Sequence, residues 1–150
     1  MAHTSINTPV GLVSIFEHND AINVVEWGRA PDGDSSPLIE EAARQLKAYF
    51  AKELRDFDLP LDPAGSPFQK AVCQTMIDIP FGEKLTYGDI AKKLGKSAQA
   101  VGSACGHNPI PIIIPCHRVV GANGTMTGFS GGEGVETKVW LLQHEGALLA

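Results

Sequence analysis

The apolar and polar positions along the chain predict a small α/β segment followed by a mainly helical one. Two apolar stretches, Val10–Phe16 and Ala21–Trp27, flank the turn-forming pair Asn19-Asp20, which indicates a β-hairpin. Ser36 can then cap a helix that has proline at its first position, and apolar residues recur at helical spacing as far as Phe50.

An irregular stretch, Asp56–Gly65, follows these elements. It has no regular apolar period and contains three acidic residues, so it is predicted to be a linker. We therefore expect a domain boundary near residue 63, with a small α/β domain over residues 1–63 and a helical domain over residues 64–150.

Capping signals divide the second domain into short helices. Ser66 and Thr86 each begin a capping box, and the helix after Thr86 is expected to end at Gly95. Ser97 can cap a further helix that reaches about Gly106. The two helices on either side of Gly95 are a helix-turn-helix candidate. A last helix is predicted near the C-terminus, after a glycine-rich stretch.

Composition and charge exclude several classes of protein. The chain has 150 residues, of which 43% are hydrophobic and 19% charged, as is typical of folded domains and unlike disordered or disulfide-rich chains. No apolar run approaches the about 20 residues that span a bilayer, and no secretion signal is visible, so a cytoplasmic location is expected. The three cysteines lack metal-type spacing and indicate free thiols. The net charge of −5 is opposite to the basic surplus usual in proteins that bind phosphates.

A cysteine and a histidine, Cys116 and His117, stand side by side at the end of an apolar run. A free thiol is only slightly ionised at neutral pH, and a histidine that takes its proton produces the nucleophilic thiolate. Because adjacent residues of a strand face opposite ways, their contact requires a turn or a bridging water, and Pro115 supplies a break in the strand.

The sequence Pro115-Cys116-His117-Arg118-Val119 resembles the signature of the O6-alkylguanine-DNA alkyltransferases. The agreement is nearly continuous from Ser66 to Gly146 and includes Ala100-Val101-Gly102 and Gly128-Phe129-Ser130-Gly131. The resemblance implies a ribonuclease H-like α/β lobe followed by a mainly α domain with a winged helix-turn-helix-like motif.

The activity implied by the resemblance is DNA repair in a single turnover. An alkylated guanine, or an O4-alkylthymine, is flipped out of double-stranded DNA, and its alkyl group moves irreversibly to Cys116. The resemblance implies a monomer that needs no cofactor, no metal and no obligate protein partner.

The resemblance also assigns roles to individual positions. Cys116 is the alkyl acceptor, and His117 is the base that acts on it through water. Glu145 orients the histidine, and Asn108 buttresses the active-site turn. For Arg118, the alternative to a DNA contact is a structural ion pair. The expected DNA- or nucleotide-binding residues are Tyr87, Gln99, Ala100, Gly102, Arg118, Val119, Phe129, Ser130 and Gly131.

Three positions depart from the family pattern. Gln99 stands where the family has an arginine that fills the gap left by the flipped base, and it lacks the charge and plane of a guanidinium. Phe129 replaces a tyrosine, and the pocket loop over Gly132–Lys138 is longer than usual. The first difference predicts slower or weaker repair of duplex DNA, with the thiol chemistry kept. The other two are expected to alter which alkyl groups fit.

Two other functions are compatible with the sequence. One is a non-catalytic DNA-damage-binding or regulatory helix-turn-helix protein that keeps Cys116 as a relic. The other is alkyl transfer from an electrophile that is not DNA, which the negative charge and the uncharged second helix of the helix-turn-helix favour.

Overall fold

The computed structural model describes residues 2–31, 33–126 and 134–148. The chain forms two compact units, residues 1–64 and 65–150. Three of the predicted site residues, Phe129, Ser130 and Gly131, lie outside the described residues.

The first unit contains a three-stranded antiparallel sheet. Its strands, in the spatial order β1-β2-β3, are His3–Thr8 (β1), Gly11–His18 (β2) and Ala21–Trp27 (β3). The predicted hairpin is β2–β3, and its turn residues Asn19 and Asp20 have φ values of 50° and 63°, as a tight two-residue turn requires. Strand β1 is additional to the predicted elements.

One helix, α1 (Pro37–Phe50), packs against this sheet. Its first turn is capped as predicted, because the hydroxyl oxygen of Ser36 accepts a hydrogen bond from the backbone N–H of Ile39 at 3.0 Å. The helix buries one face, made up of Ile39, Ala42, Gln45, Leu46 and Tyr49. The α/β character predicted for this part of the chain is confirmed.

The segment predicted as a linker is bound to the first unit along half of its length. The backbone N–H of Asp58 donates to the side chain of Gln45 at 2.9 Å. Further along, Ile22 of β3 donates to the carbonyl of Pro60 at 2.8 Å and accepts from the N–H of Asp62 at 2.9 Å. Residues 60–62 are thus an irregular extension of the sheet edge, whereas Asp58 is joined to the helix that packs on the sheet.

The described part of the second unit is built mainly of short helices. Two two-residue strands pair in parallel within it, β4 (Leu85–Thr86) and β5 (Val119–Val120). The capping boxes of Ser66 and Thr86 both form as predicted. The helices are α2 (Pro67–Ile77), α3 (Tyr87–Leu94), α4 (Ala98–Gly106) and α5 (Val135–His144).

Helices α3 and α4 pack together as the helix-turn-helix pattern predicts. Gly95 ends α3 in the left-handed conformation, with φ of 66°, which glycine adopts without strain. Ser97 caps α4 by accepting from the N–H of Ala100 at 3.1 Å. In the part of the chain that the structure describes, no helix is both long and apolar enough to cross a membrane.

Candidate active site

The segment that leads to Cys116 is a turn held by Asn108. The Asn108 amide donates from Nδ2 to the carbonyl of Ile114 at 2.8 Å, and its Oδ1 accepts from the N–H of Ile110 at 3.0 Å. Between them Ile112 has a φ of 73°, a conformation that is strained for a β-branched residue. The two hydrogen bonds of the Asn108 side chain thus stabilise a strained backbone conformation, as expected of a residue that buttresses the turn.

Cys116 begins a one-turn 3-10 helix, Cys116–Arg118, directly after Pro115. The turn predicted at this proline is therefore present. The residue Cys116 is 8% exposed, and burial of its thiol raises the pKa above the ordinary value for cysteine, while a hydrogen bond from Asn108 and the charge of Lys138 act in the opposite direction. Because burial dominates, the resting side chain is a neutral thiol that needs a base.

His117 and Glu145 form a fully buried pair. Nε2 of His117 lies 2.8 Å from Oε2 of Glu145. Hydrogen bonds from His117 and Arg118 overcome the opposing effect of burial and lower the pKa of Glu145 to about 2, so the carboxylate is ionised and can only accept. Nε2 must then carry the proton, which leaves Nδ1 with a lone pair.

The Nδ1 atom of His117 is buried and makes no hydrogen bond with any described residue. Burial is also the main reason why the pKa of His117 lies below its ordinary value. A neutral imidazole with an unoccupied lone pair, adjacent in sequence to a neutral thiol, is the arrangement that a general base requires.

Arg118 is bound inside the protein. Its Nε donates to Oε1 of Glu145 at 2.8 Å, its Nη2 donates to Oε2 at 3.0 Å, and its Nη1 donates to the carbonyl of Ile79 at 2.6 Å. Only 5% of the residue is exposed. In this arrangement Arg118 forms the structural ion pair that is the alternative to its expected role as a DNA contact.

Lys138 is a site residue that the sequence reasoning missed. It lies on α5, is 1% exposed, and donates from Nζ to the carbonyl of Val119 at 2.5 Å. The same ammonium lies 3.4 Å from the hydroxyl of Tyr87 and 5.5 Å from the centre of its ring. Lysine in a helix is normally a surface residue, so only the burial of Lys138 identifies it.

Tyr87 and Val119 are therefore brought together through Lys138. Tyr87 is the first residue of α3 and is partly exposed, whereas Val119 is fully buried in β5. Gly102 of α4 packs against Tyr87, since a Cβ at this glycine would lie 3.9 Å from Cδ1 of the ring. On the same helix Gln99 is exposed and Ala100 partly exposed.

The other two cysteines, Cys73 on α2 and Cys105 on α4, are buried free thiols. Burial raises the pKa of Cys105 to about 12 and also raises that of Cys73. Among residues 2–31, 33–126 and 134–148, no three His, Cys, Asp or Glu side chains are placed to hold a metal ion.

Known proteins match both units of the chain. Residues 1–63 match the model of the ribonuclease-like domain of 6-O-methylguanine DNA methyltransferase, and residues 67–147 match the model of its DNA binding domain. The methylated-DNA–protein-cysteine methyltransferase of Methanosarcina acetivorans is 41% identical over 157 residues, covering 98% of this chain and 99% of the relative. That of Bacillus subtilis, termed constitutive, is 39% identical over 156 residues, covering 95% and 94%.

Solved structures agree with these matches. The Mycobacterium tuberculosis OGT in complex with DNA has a TM-score of 0.87 and 39% identity, covering 98% of this chain and 94% of that one. The O6-methylguanine methyltransferase of the same organism has a TM-score of 0.84 and 38% identity, covering 97% and 93%. The chain belongs to the 6-O-methylguanine DNA methyltransferase family, so the predicted family and two-part fold are confirmed.

Proposed function

We propose that this protein repairs DNA by moving the alkyl group of O6-alkylguanine to Cys116, once per molecule. The observation that carries the proposal is the hydrogen-bonded His117–Glu145 pair, buried directly after Cys116 in a turn that Asn108 holds. Family membership supplies the substrate class, and a relative of the same fold has been solved with DNA.

The reaction is an in-line displacement at the alkyl carbon. Nδ1 of His117 accepts the proton of the Cys116 thiol through a bridging water, and the thiolate attacks. A sulfur–carbon bond forms while the bond between that carbon and O6 of guanine breaks. The electron pair of the broken bond stays on guanine, which ends with the proton that the thiol has lost. The thioether has no leaving group that would regenerate the thiol, so each molecule reacts once.

The target base must leave the stack before the thiol can reach it. We assign Tyr87, at the start of α3, to rotating the nucleotide, and Gln99, Ala100 and Gly102 of α4 to the DNA-facing side of the helix-turn-helix. Val119 offers its backbone to the flipped guanine. Phe129, Ser130 and Gly131 are assigned to the same pocket on the strength of the sequence resemblance.

Charge supports DNA binding by the second unit. Residues 1–64 contain 11 acidic and 5 basic residues, whereas residues 65–150 contain 6 acidic and 7 basic ones. The acidic surplus of the chain therefore belongs to the first unit. Lys92, Lys93 and Lys96 are exposed at the end of α3 and beyond it, where they can bind phosphates beside the recognition helix.

Some features of the proposal rest on sequence alone. We assign residues 1–63 and 64–150 to the two domains, and we expect the protein to act as a monomer on double-stranded DNA without a protein partner. The three free thiols suit a reducing compartment, which for this chain we take to be the cytoplasm.

The test is the intact mass of the protein after incubation with duplex DNA that contains one O6-methylguanine. We expect a gain of one methyl group, mapped to the peptide of Cys116. Cys116→Ala should take up no methyl group and should still bind the DNA. The matched control is Cys105→Ala, which removes another buried thiol and should leave uptake complete.

The alternatives give different results in the same experiment. An unmodified Cys116 on DNA-bound protein would indicate a damage-binding or regulatory role. Methylation of Cys116 by a small electrophile but never by the DNA would indicate a different substrate. Uptake of a full methyl group by Cys116→Ala would exclude Cys116 as the acceptor.

A further inference from the structure

Arg118 is placed to control the proton on His117 without touching it. Two of its nitrogens bind the two oxygens of Glu145, at 2.8 and 3.0 Å, and the third is fixed on the carbonyl of Ile79 at 2.6 Å. The guanidinium also lies 5.8 Å from the ring centre of Phe81. The planar fork therefore sets both the orientation and the charge balance of the carboxylate.

Oε2 of Glu145 is shared between Arg118 and His117. It accepts from Nη2 of Arg118 and lies 2.8 Å from Nε2 of His117. We propose that Arg118 is a positioning residue for alkyl transfer: by holding Glu145 ionised, it keeps the histidine proton on Nε2 and leaves Nδ1 available as the base. This inference rests on the proposed function and deepens it.

The role follows from the two protonation states that become available without the guanidinium. A buried carboxylate that has lost its cation favours uptake of a proton by the His117–Glu145 pair. If the proton goes to the imidazole, both ring nitrogens carry hydrogen. If it goes to the carboxylate, that proton is donated to Nε2, and the imidazole hydrogen moves to Nδ1. In either state Nδ1 cannot accept the proton of Cys116.

Other charges around His117 act on the same equilibrium. They come from its own turn, from α5 and from the residue that follows α5. The Cys116 thiol in turn raises the pKa of Cys73 and of Cys105. The charges of Arg118 and Lys138 lower the pKa of His117, and that of Glu145 raises it. The titratable groups linked in this way among the described residues are Cys73, Cys105, Cys116, Arg118, Lys138 and Glu145. Arg118 differs from Lys138 in that it binds the carboxylate directly.

The variant Arg118→Met removes the charge and keeps an unbranched apolar side chain. We expect proton uptake by the His117–Glu145 pair to move up by about 1 to 3 pH units, as is typical when a contacting charge is lost. Each unit reduces the unprotonated fraction about tenfold in the affected range. The methyl-transfer rate should therefore fall at neutral pH and recover as the pH is raised.

The readouts are ¹⁵N shifts of labelled histidine across pH and single-turnover rates on O6-methylguanine duplex. The His117 signal is assigned by its absence in His117→Gln. Arg118→Lys keeps a cation beside Glu145 and should retain the wild-type pH profile with a lower rate. In Arg118→Met with Glu145→Gln, neither charge is present, and the upward shift should disappear. If Arg118→Met does not fold, Arg118→Gln tests the same loss of charge.

An unchanged His117 titration in Arg118→Met, with only a lower thermal stability, would overturn the proposal. So would a shift that persists when Glu145 is also replaced, because the carboxylate would then not transmit the effect. The histidine signal does not depend on DNA. If the unsubstituted protein transferred no methyl group, the proposed function would fail, and the titration would still decide whether Arg118 controls His117.

Discussion

The second unit buries four ionisable side chains beside Cys116. Glu145 and Arg118 are each 5% exposed, Lys138 is 1% exposed and His117 is fully buried. A buried charge is costly unless it is paired, and the fork of Arg118 on Glu145 supplies such a pair. Lys138 instead donates to a backbone carbonyl and influences the thiols Cys105 and Cys116 through its charge. At the scale of residues, the protein places a positive charge where a thiolate must form.

Lys138→Met should make the Cys116 thiolate harder to form. The ammonium lowers the pKa of Cys116, so its removal raises that pKa further, and we expect thiol alkylation by iodoacetamide at neutral pH to slow by about tenfold or more. The measurement is the DNA-free alkylation rate across pH, with the adduct mapped to Cys116. Lys70→Met, at an exposed lysine on α2, is the control and should leave the rate unchanged. Equal rates for Lys138→Met and wild type would show that the lysine only fills space.

At the scale of elements, the sequence predicted features that depend on neighbouring residues, such as helix caps. It did not predict features that depend on contacts between distant residues. The helices that start after Ser36, Ser66, Thr86 and Ser97 begin where predicted, because each cap is a bond between residues three positions apart. Strand β1 was missed because its residues, His3–Thr8, are mostly polar and only Ile6 is buried.

Contacts between residues that are distant in the sequence explain the other differences between the predicted and the observed structure. The linker prediction missed the backbone bonds that join residues 60–62 to Ile22, since pairing with a distant strand has no local signature. The apolar spacing in α5 includes Val135, which is 43% exposed, whereas the buried face contains Thr137 and Lys138. In the site, Cys116 and His117 could be identified from their motif. The hydrogen bonds of Arg118 and the burial of Lys138 required the fold.

Position 99 on helix α4 carries glutamine where the family has an arginine, and the effect of this difference can be tested. Gln99 is exposed in the first turn of α4, so a longer side chain fits there without repacking. We expect Gln99→Arg to speed methyl transfer from duplex DNA, because a guanidinium can stack in the gap left by the flipped base and bind its partner. The measurement is the single-turnover rate on duplex and on single-stranded substrate.

The control for charge is Gln99→Lys, which adds the same positive charge without the planar group. If phosphate attraction alone were responsible, both variants would gain equally on duplex and on single strands. A gain confined to Gln99→Arg on duplex would support insertion into the base stack. No gain with arginine would mean that Gln99 belongs to a different way of flipping the base.

At the scale of the whole molecule, the buried ionisable groups make folding sensitive to acid. Glu145 has a pKa of about 2 in the folded protein and 4.5 as an ordinary carboxyl, so it contributes roughly 3 kcal/mol of stability above pH 4.5. That contribution is lost as the pH falls from 4.5 towards 2. The pKa of His117 is lowered by burial, so below pH 6.5 the unfolded chain binds a proton that the folded protein does not. Both groups therefore reduce the free energy of unfolding as the pH falls.

The acid sensitivity is expected to depend on burial, and the chain offers a matched pair of carboxyls. Hydrogen bonds from Arg44 and Gln45 also lower the pKa of Glu41 to about 2, but its side chain is 41% exposed, and exposed ion pairs contribute little to stability. Urea unfolding between pH 3 and pH 7, followed by circular dichroism and by the fluorescence of Trp27 in β3 and Trp140 in α5, reports on both units. Glu145→Gln should lower stability at pH 7, because Arg118 loses its counter-charge, and should flatten the decline below pH 4.5. Glu41→Gln should follow the wild-type curve, and equal effects of the two substitutions would show that burial of the Glu145–Arg118 pair does not determine the acid response.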